Sequence, residues 1–370
     1  MSVKTIAVIG AGTMGRGIAY AAAFGGYNTV LEDISRPMLE QAVAWVRQSF
    51  DEGVARGKVE AGVRNKALSL ISTANNVPDA VRDADLIIEA VPEELEMKLE
   101  LFTIFDKFAK TGAIFASNTS SLSITDFTDV TVSRDRCIGM HFFNPVPKMK
   151  LIELVRTPHT SDETVAACRE VAGRMGKEVV IVNEAPGFIT TRVNALIGNE
   201  AFNMLEAGIA SPEDIDKALK LGLNHPMGPF ELVRTPYTSD ATVATCREVA
   251  GRMGKEVVIV NEAPGFITTR INALIGNEAF NMLEAGVASP EDIDKALKLG
   301  LNHPMGPFEL VDLVGLDVRL NILEYLHRTL GEKYRPNSLL RQYVQEGRLG
   351  RKAGRGVYDY SQQKAAGEKT

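Results

Sequence analysis

Residues 156–233 of this 370-residue chain recur as residues 234–311. The two copies differ at five positions: His159/Tyr237, Glu163/Ala241, Ala167/Thr245, Val193/Ile271 and Ile209/Val287. A unit of 78 residues used twice is not a solenoid, which stacks three or more short repeats. It reads as a tandem duplication, and any fold that houses one copy must also place a second of almost the same sequence. Subtracting one copy from 370 leaves 292 residues, a comfortable two-domain length. The tripeptide Glu-Leu-Val stands at 153–155, 231–233 and 309–311 and marks both junctions. Cys168 and Cys246 are therefore one position written twice, as are His225 and His303.

The first half alternates short apolar runs with helix-like stretches. VKTIAVI (3–9), NTVLED, ADLIIEAV, AIFASN, RCIGMHFF and LIELV (151–155) have strand length and composition. Helical patterns lie between the first of them, as in SRPMLEQAVAWVRQSFDEGVARG and EELEMKLELFTIFDKFAK. This alternation predicts a doubly wound α/β fold with a mostly parallel sheet. Each repeat then adds one helix (SDETVAACREVAGRMG) and one strand (KEVVIV), and the rest of each repeat reads as helix. We expect a Rossmann-type domain over 1–183 and an all-α C-terminal domain over 184–370, with part of both duplicated. Ser211 is placed to cap a helix that Pro212 opens and Gly222 can close.

Composition narrows the partners. The net charge of −6 argues against nucleic acid, whose phosphates need a basic face. No apolar run reaches the roughly 18 residues of a membrane span, so no membrane partner is expected. Three cysteines (Cys137, Cys168 and Cys246) suggest free thiols in a reducing cytoplasm. No metal site is expected.

Three features carry chemistry. Gly10, Gly12 and Gly15 form GxGxxG directly after a strand and at the start of a helix, and Asp33 ends the next strand. Alone the glycines are a weak signal, but in this context they read as a dinucleotide site. Asp33 would accept the adenosine ribose hydroxyls and favour NAD, while nearby Arg36 leaves NADP open. Second, His141 follows an apolar strand and Glu153 sits inside the apolar LIELV. A carboxylate there must be paired or end at a cleft, and a His held by a carboxylate can act as a general base. A buried structural histidine and an edge-strand glutamate fit as well. Third, SNTSSLSIT (117–125) follows a strand. It reads as a polar loop and helix cap, or as a ligand site at the carboxyl edge of the sheet.

Taken together, GAGTMG, IFASNTSSLSIT, GMHFFNPVPKMKLIELV, EAPGFITTR, EDIDKALKLGLNHPMGPFELVDLVGLD and LGRKAGRGVYDY resemble the 3-hydroxyacyl-CoA dehydrogenase family, nearest its bacterial 3-hydroxybutyryl-CoA branch. The resemblance covers the chain once one copy is removed. It implies NAD-dependent oxidation of an L-3-hydroxyacyl-CoA to the 3-ketoacyl-CoA. It implies His141 as base, Glu153 as its orienting carboxylate and Ser120 as donor to the reacting oxygen. Glu93, Lys98, Asn144 and Lys352 match cofactor positions, and Lys58 loosely matches a lysine that meets coenzyme A. Thr191, with Thr269 in the second copy, stands where the commonest family motif has asparagine. A dehydrogenase of a related hydroxy acid without coenzyme A, or a non-catalytic NAD-binding protein, are the alternatives. The family's helical domain dimerises, so a homodimer is expected, or a pseudo-dimer in which the spare helices take the second subunit's place. Loops near 183–187 or 208–211 are the least costly places to accommodate the extra copy.

Overall fold

The computed structural model describes residues 2–224 and 230–361. His225 lies outside the described residues. The chain divides into two bodies, one ending at Phe188 and the other beginning at Ile189, so the junction falls inside the first copy of the repeat.

The first body opens with β1 (Thr5–Ile9), α1 (Thr13–Phe24), β2 (Asn28–Glu32), α2 (Arg36–Ala55), α3 (Ala61–Ser69) and β3 (Ile71–Ala74). It continues with α4 (Val77–Val81), β4 (Leu86–Glu89), α5 (Leu95–Phe108), β5 (Ile114–Ser117) and α6 (Ile124–Thr128). It ends with β6 (Cys137–Phe142), β7 (Leu151–Arg156), α7 (Asp162–Arg174) and β8 (Glu178–Asn183). The strands form one sheet in the order β3-β2-β1-β4-β5-β6-β7-β8. Every neighbouring pair is parallel except β6–β7. The order reverses between β1 and β4, the crevice where open α/β sheets bind ligands. Ile6, Val8, Leu86, Ile88, Ile114, Ile138 and Leu154 are fully buried in the core, against Ile18 and Ala22 of α1 and Val171 of α7. Burial on both faces is what makes these strands read as continuous apolar runs.

The second body is helical: α8 (Thr190–Glu206), α9 (Pro212–Asn224), α11 (Thr268–Glu284), α12 (Pro290–Gly300), α13 (Pro307–Val314), α14 (Leu316–Leu330) and α15 (Ser338–Gln345). The duplication adds β9 (Phe230–Arg234), α10 (Asp240–Arg252) and β10 (Val257–Asn261). The strands β9 and β10 pair in parallel, Glu231 opposite Val258, in the register that sets Glu153 opposite Val180 in β7–β8. The strand β9 departs from the sequence reading, which makes this stretch helical. Phe-Glu-Leu-Val is strand at 230–233 and helix at 308–311. Helix and strand preferences of such residues differ little, so surroundings decide. At 308–311 the segment follows Gly306 and Pro307, and both Asp294 oxygens accept the Phe308 and Glu309 N–H groups. At 230–233 it supplies the partner that β10 needs.

The copies also differ in burial. Val171 in α7 and Met175 at its C-cap are 1% and 3% exposed, whereas Val249 in α10 and Met253 at its C-cap are 52% and 62% exposed. Cys168 is buried and Cys246 is half-buried. Burial pushes the Cys168 thiol up to about 12 and the Cys137 thiol up to about 11, so neither supplies the reactive thiolate near neutral pH. An aromatic disulfide reagent should therefore label Cys246 first in the native protein, and Cys246→Ser should abolish the fast phase. A Cys168 that reacts as fast as Cys246 would contradict this packing.

Candidate active site

The turn between β1 and α1 is built by its glycines. Gly10 has φ +97° and its absent Cβ would press on the Ala90 carbonyl at 2.8 Å. A Cβ on Gly15 would lie 1.7 Å from the Gly10 oxygen, so the helix can approach the turn only as glycine. A Cβ on Gly12 would meet nothing within 4 Å. It faces open space at the start of α1, where no side chain caps the helix. Free N–H groups and an open approach suit a pyrophosphate. Asp33 braces the turn: its oxygens accept the Ala11 and Ser35 N–H groups, each at 2.9 Å. These residues fit a bound dinucleotide.

Glu32, beside Asp33, is 2% exposed. Burial, with the neighbouring Asp33 charge, pushes its carboxyl up to about 7, against a Gly10 N–H that lowers it. The folded chain thus keeps a proton that the unfolded chain releases near 4.5. This contribution to stability is present below about 4.5 and lost as pH rises through about 7. Glu32→Gln should flatten the melting temperature across that window; an unchanged slope would contradict the assignment.

His141 and Glu153 are direct cross-strand partners on antiparallel β6 and β7. The His141 Nδ1 to Glu153 Oε2 distance is 2.7 Å, and Glu153 is fully buried. That contact takes one ring nitrogen and leaves Nε2 for a substrate. Beside it, the Asn118 side-chain oxygen accepts the Phe142 N–H at 2.9 Å. This bond ties the loop after β5, which carries Ser120, to the end of β6, which carries His141.

Ser120 belongs to a web centred on Glu93. One Glu93 oxygen accepts the Thr119 hydroxyl at 2.5 Å and the Ser120 and Ser121 N–H groups at 2.9 and 3.2 Å. The Ser120 hydroxyl lies farther from it, at 3.4 Å. Burial pushes the Glu93 carboxyl up, but the Thr119 hydroxyl, the Lys98 charge and the Ser120 N–H overcome this and hold it below the usual range. Lys98 is 1% exposed and directs its ammonium to both Glu89 oxygens, at 2.7 and 2.8 Å, and to Glu93 at 3.2 Å. Glu89 also accepts the Ser117 hydroxyl at 2.6 Å. Sequence reasoning passes over Glu89, although a carboxylate directly after the apolar run Leu86–Ile88 is the available signal. Lys98→Met strands two carboxylates together and should cost about 3–5 kcal/mol, the scale for breaking a buried pair. Urea unfolding would measure it, and an unshifted midpoint would contradict the network.

Asn144 is exposed on the loop after β6. Lys58 is also exposed, on the rim of a cavity of about 660 Å³ lined in part by Trp45, Arg56, Lys148, Lys150 and Lys177. In the second body, Lys352 pairs with Asp317 at 2.5 Å, and Thr191 and Thr269 stand half-buried in the first turns of α8 and α11.

The family model described as "3-hydroxyacyl-CoA dehydrogenase, NAD binding domain" matches residues 5–185. The model of the same family's C-terminal domain matches 187–255 and 265–360. A probable 3-hydroxybutyryl-CoA dehydrogenase of Bacillus subtilis is 35% identical over 98% of this chain and 99% of its own. Human mitochondrial hydroxyacyl-coenzyme A dehydrogenase is 43% identical over 62% of this chain and 75% of its own. The crystal structure of Escherichia coli 3-hydroxybutyryl-CoA dehydrogenase superposes with a TM-score of 0.85 at 28% identity, covering 94% of this chain and 99% of that one.

Proposed function

Because the chain belongs to the 3-hydroxyacyl-CoA dehydrogenase family, we propose that it oxidises L-3-hydroxyacyl-CoA, such as 3-hydroxybutyryl-CoA, to 3-ketoacyl-CoA and runs the reverse reduction. The observation that carries this reading is the buried His141–Glu153 pair at a sheet edge that also bears a glycine turn built for a dinucleotide. NAD, when bound, supplies the hydride acceptor for the C3 hydrogen.

The chain's own residues do the rest. The 3-hydroxyl binds between Ser120 and His141. His141 Nε2 takes the hydroxyl proton, and buried Glu153 stabilises the imidazolium formed, much as the carboxylate of a catalytic triad does. In reverse, protonated His141 and the Ser120 hydroxyl polarise the keto oxygen. Gly10, Gly12, Gly15 and Asp33 would hold the pyrophosphate and adenosine ribose. Glu93, Asn144 and Lys352 are assigned to the cofactor. Lys98 points its three N–H groups at carboxylates, so here it acts through Glu93. The basic, Trp-lined cavity beside Lys58 suits the phosphates and adenine of coenzyme A. Thr191, or Thr269 in its place, is assigned to the substrate.

The same reading places a pseudo-dimer within the helical body, in a cytoplasmic enzyme. It is supported by α8 and α11, which are copies of each other and pack together. Arg270 pairs with Glu200 at 2.5 Å, and Arg192 pairs with Glu278. Each pair is the other shifted by one repeat in both members, the reciprocity of a two-fold interface.

NADH oxidation with acetoacetyl-CoA tests the reaction, with NADPH in parallel as the test of Asp33. We expect turnover with NADH, and a loss of ~10²–10⁴-fold in His141→Ala, the scale of a general base. Near-wild-type turnover in that variant, or none in the wild type, would overturn the proposal.

A further inference from the structure

We propose that Glu184 is a positioning residue for this reaction, holding the far end of the loop that presents Ser120, and that its repeat-mate Glu262 has no such part. The inference rests on the reaction proposed above. Between Ser117 and Thr125 the chain carries hydroxyls at 117, 119, 120, 121, 123 and 125. Glu89 holds the start of this loop and Glu93 its middle. Glu184 holds the end. It accepts the Ser123 hydroxyl at 3.1 Å, the Thr125 N–H at 2.8 Å and the Thr125 hydroxyl. Those residues open α6, whose first turn Ser123 also caps through the Asp126 N–H.

The carboxylate is itself well placed to bear load. Glu184 directly follows β8, and its own N–H donates to the Arg156 carbonyl at the end of β7. β7 is the strand that carries Glu153. The base's partner and the oxygen-binding loop are therefore fastened to adjoining backbone. Charge-assisted bonds are the strong kind, and a shift of about 1 Å in a reacting group can cost 10²-fold in rate.

The duplication supplies an internal control. Glu262 directly follows β10, and its N–H donates to the Arg234 carbonyl at 2.9 Å, the same local geometry. Yet its carboxylate is exposed. The loop 117–125 lies outside the repeat and exists once, so the second copy has no loop to hold.

The test makes the same substitution at both positions in the full-length protein. Glu184→Gln should lower kcat about 10–10²-fold with little change in KM for NADH, and Glu184→Asp should recover part of the loss. Glu262→Gln should match wild type. Amide hydrogen exchange should show faster exchange at 121–125 in Glu184→Gln and not in Glu262→Gln. Equal kinetics in the two Gln variants would overturn the proposal. So would a Glu184→Gln variant that loses NADH affinity in proportion to kcat, or one with unchanged exchange at 121–125. The exchange measurement needs no turnover. A wild-type chain inactive on acetoacetyl-CoA would sink the reaction, while loop protection would still decide whether Glu184 holds this segment.

Discussion

One antiparallel pairing in a parallel sheet sets the chemistry. Because β7 runs against β6, Glu153 lies directly opposite His141, and their side chains meet on the same face at 2.7 Å. A slip of one residue in that register would turn Glu153 to the opposite face and leave a charge buried without its partner. The pairing with His141 is what lets a carboxylate sit buried in the otherwise apolar run 151–155. Around this pair the other groups arrive from separate strand ends: the glycine turn from β1, Asp33 from β2, Glu93 after β4 and Ser120 after β5. Carboxylates bind the Ser120 loop along its length, so little of its geometry is left to fluctuation.

The duplicated segment shows how far context overrides sequence. Three Glu-Leu-Val tripeptides reach three outcomes. Glu153 pairs with His141. Glu231 accepts the Thr268 N–H at the start of α11. Glu309 lies in a helix, where it accepts the Gly306 N–H and pairs with Lys298. Phe202 is 73% exposed, whereas its mate Phe280 is fully buried against Phe308 and Tyr343. What each copy does is decided by the unique sequence beside it. The segment before residue 156 supplies β6 and the Ser120 loop, so the first copy's opening half is tied to the active site. The segment after 311 supplies α14 and α15, so α11 of the second copy is better buried than α8 of the first.

Much of this was legible in the chain, for physical reasons. Doubly buried strands leave long apolar runs, and a glycine turn between strand and helix leaves its spacing. One strand leaves no signal: β3 is Ile-Ser-Thr-Ala, with its two central residues exposed, and has neither run nor alternation. The strand β9 was hidden because the same four residues are helical one repeat later. At the site, residue types pointed to His141 and Glu153 but not to their contact, which depends on register. Lys98 reads by resemblance as a cofactor position, and the fold surrounds it with Glu89 and Glu93. No local pattern in the sequence announces that arrangement, because Glu89 and Lys98 sit on different elements. The loop 117–125 reads as cap or as site; in the structure Ser123 caps α6 while the Ser120 N–H donates to Glu93.

The chain builds one dinucleotide site, although a fifth of its sequence occurs twice. The glycine turn, Asp33 and His141 all precede the repeat and exist once. Calorimetric titration of the full-length protein with NADH tests this most directly. One equivalent bound per chain, lost in a Gly12→Asp variant that fills the open approach, is the predicted result. Two equivalents per chain, or binding that survives Gly12→Asp, would contradict a single site behind the glycine turn.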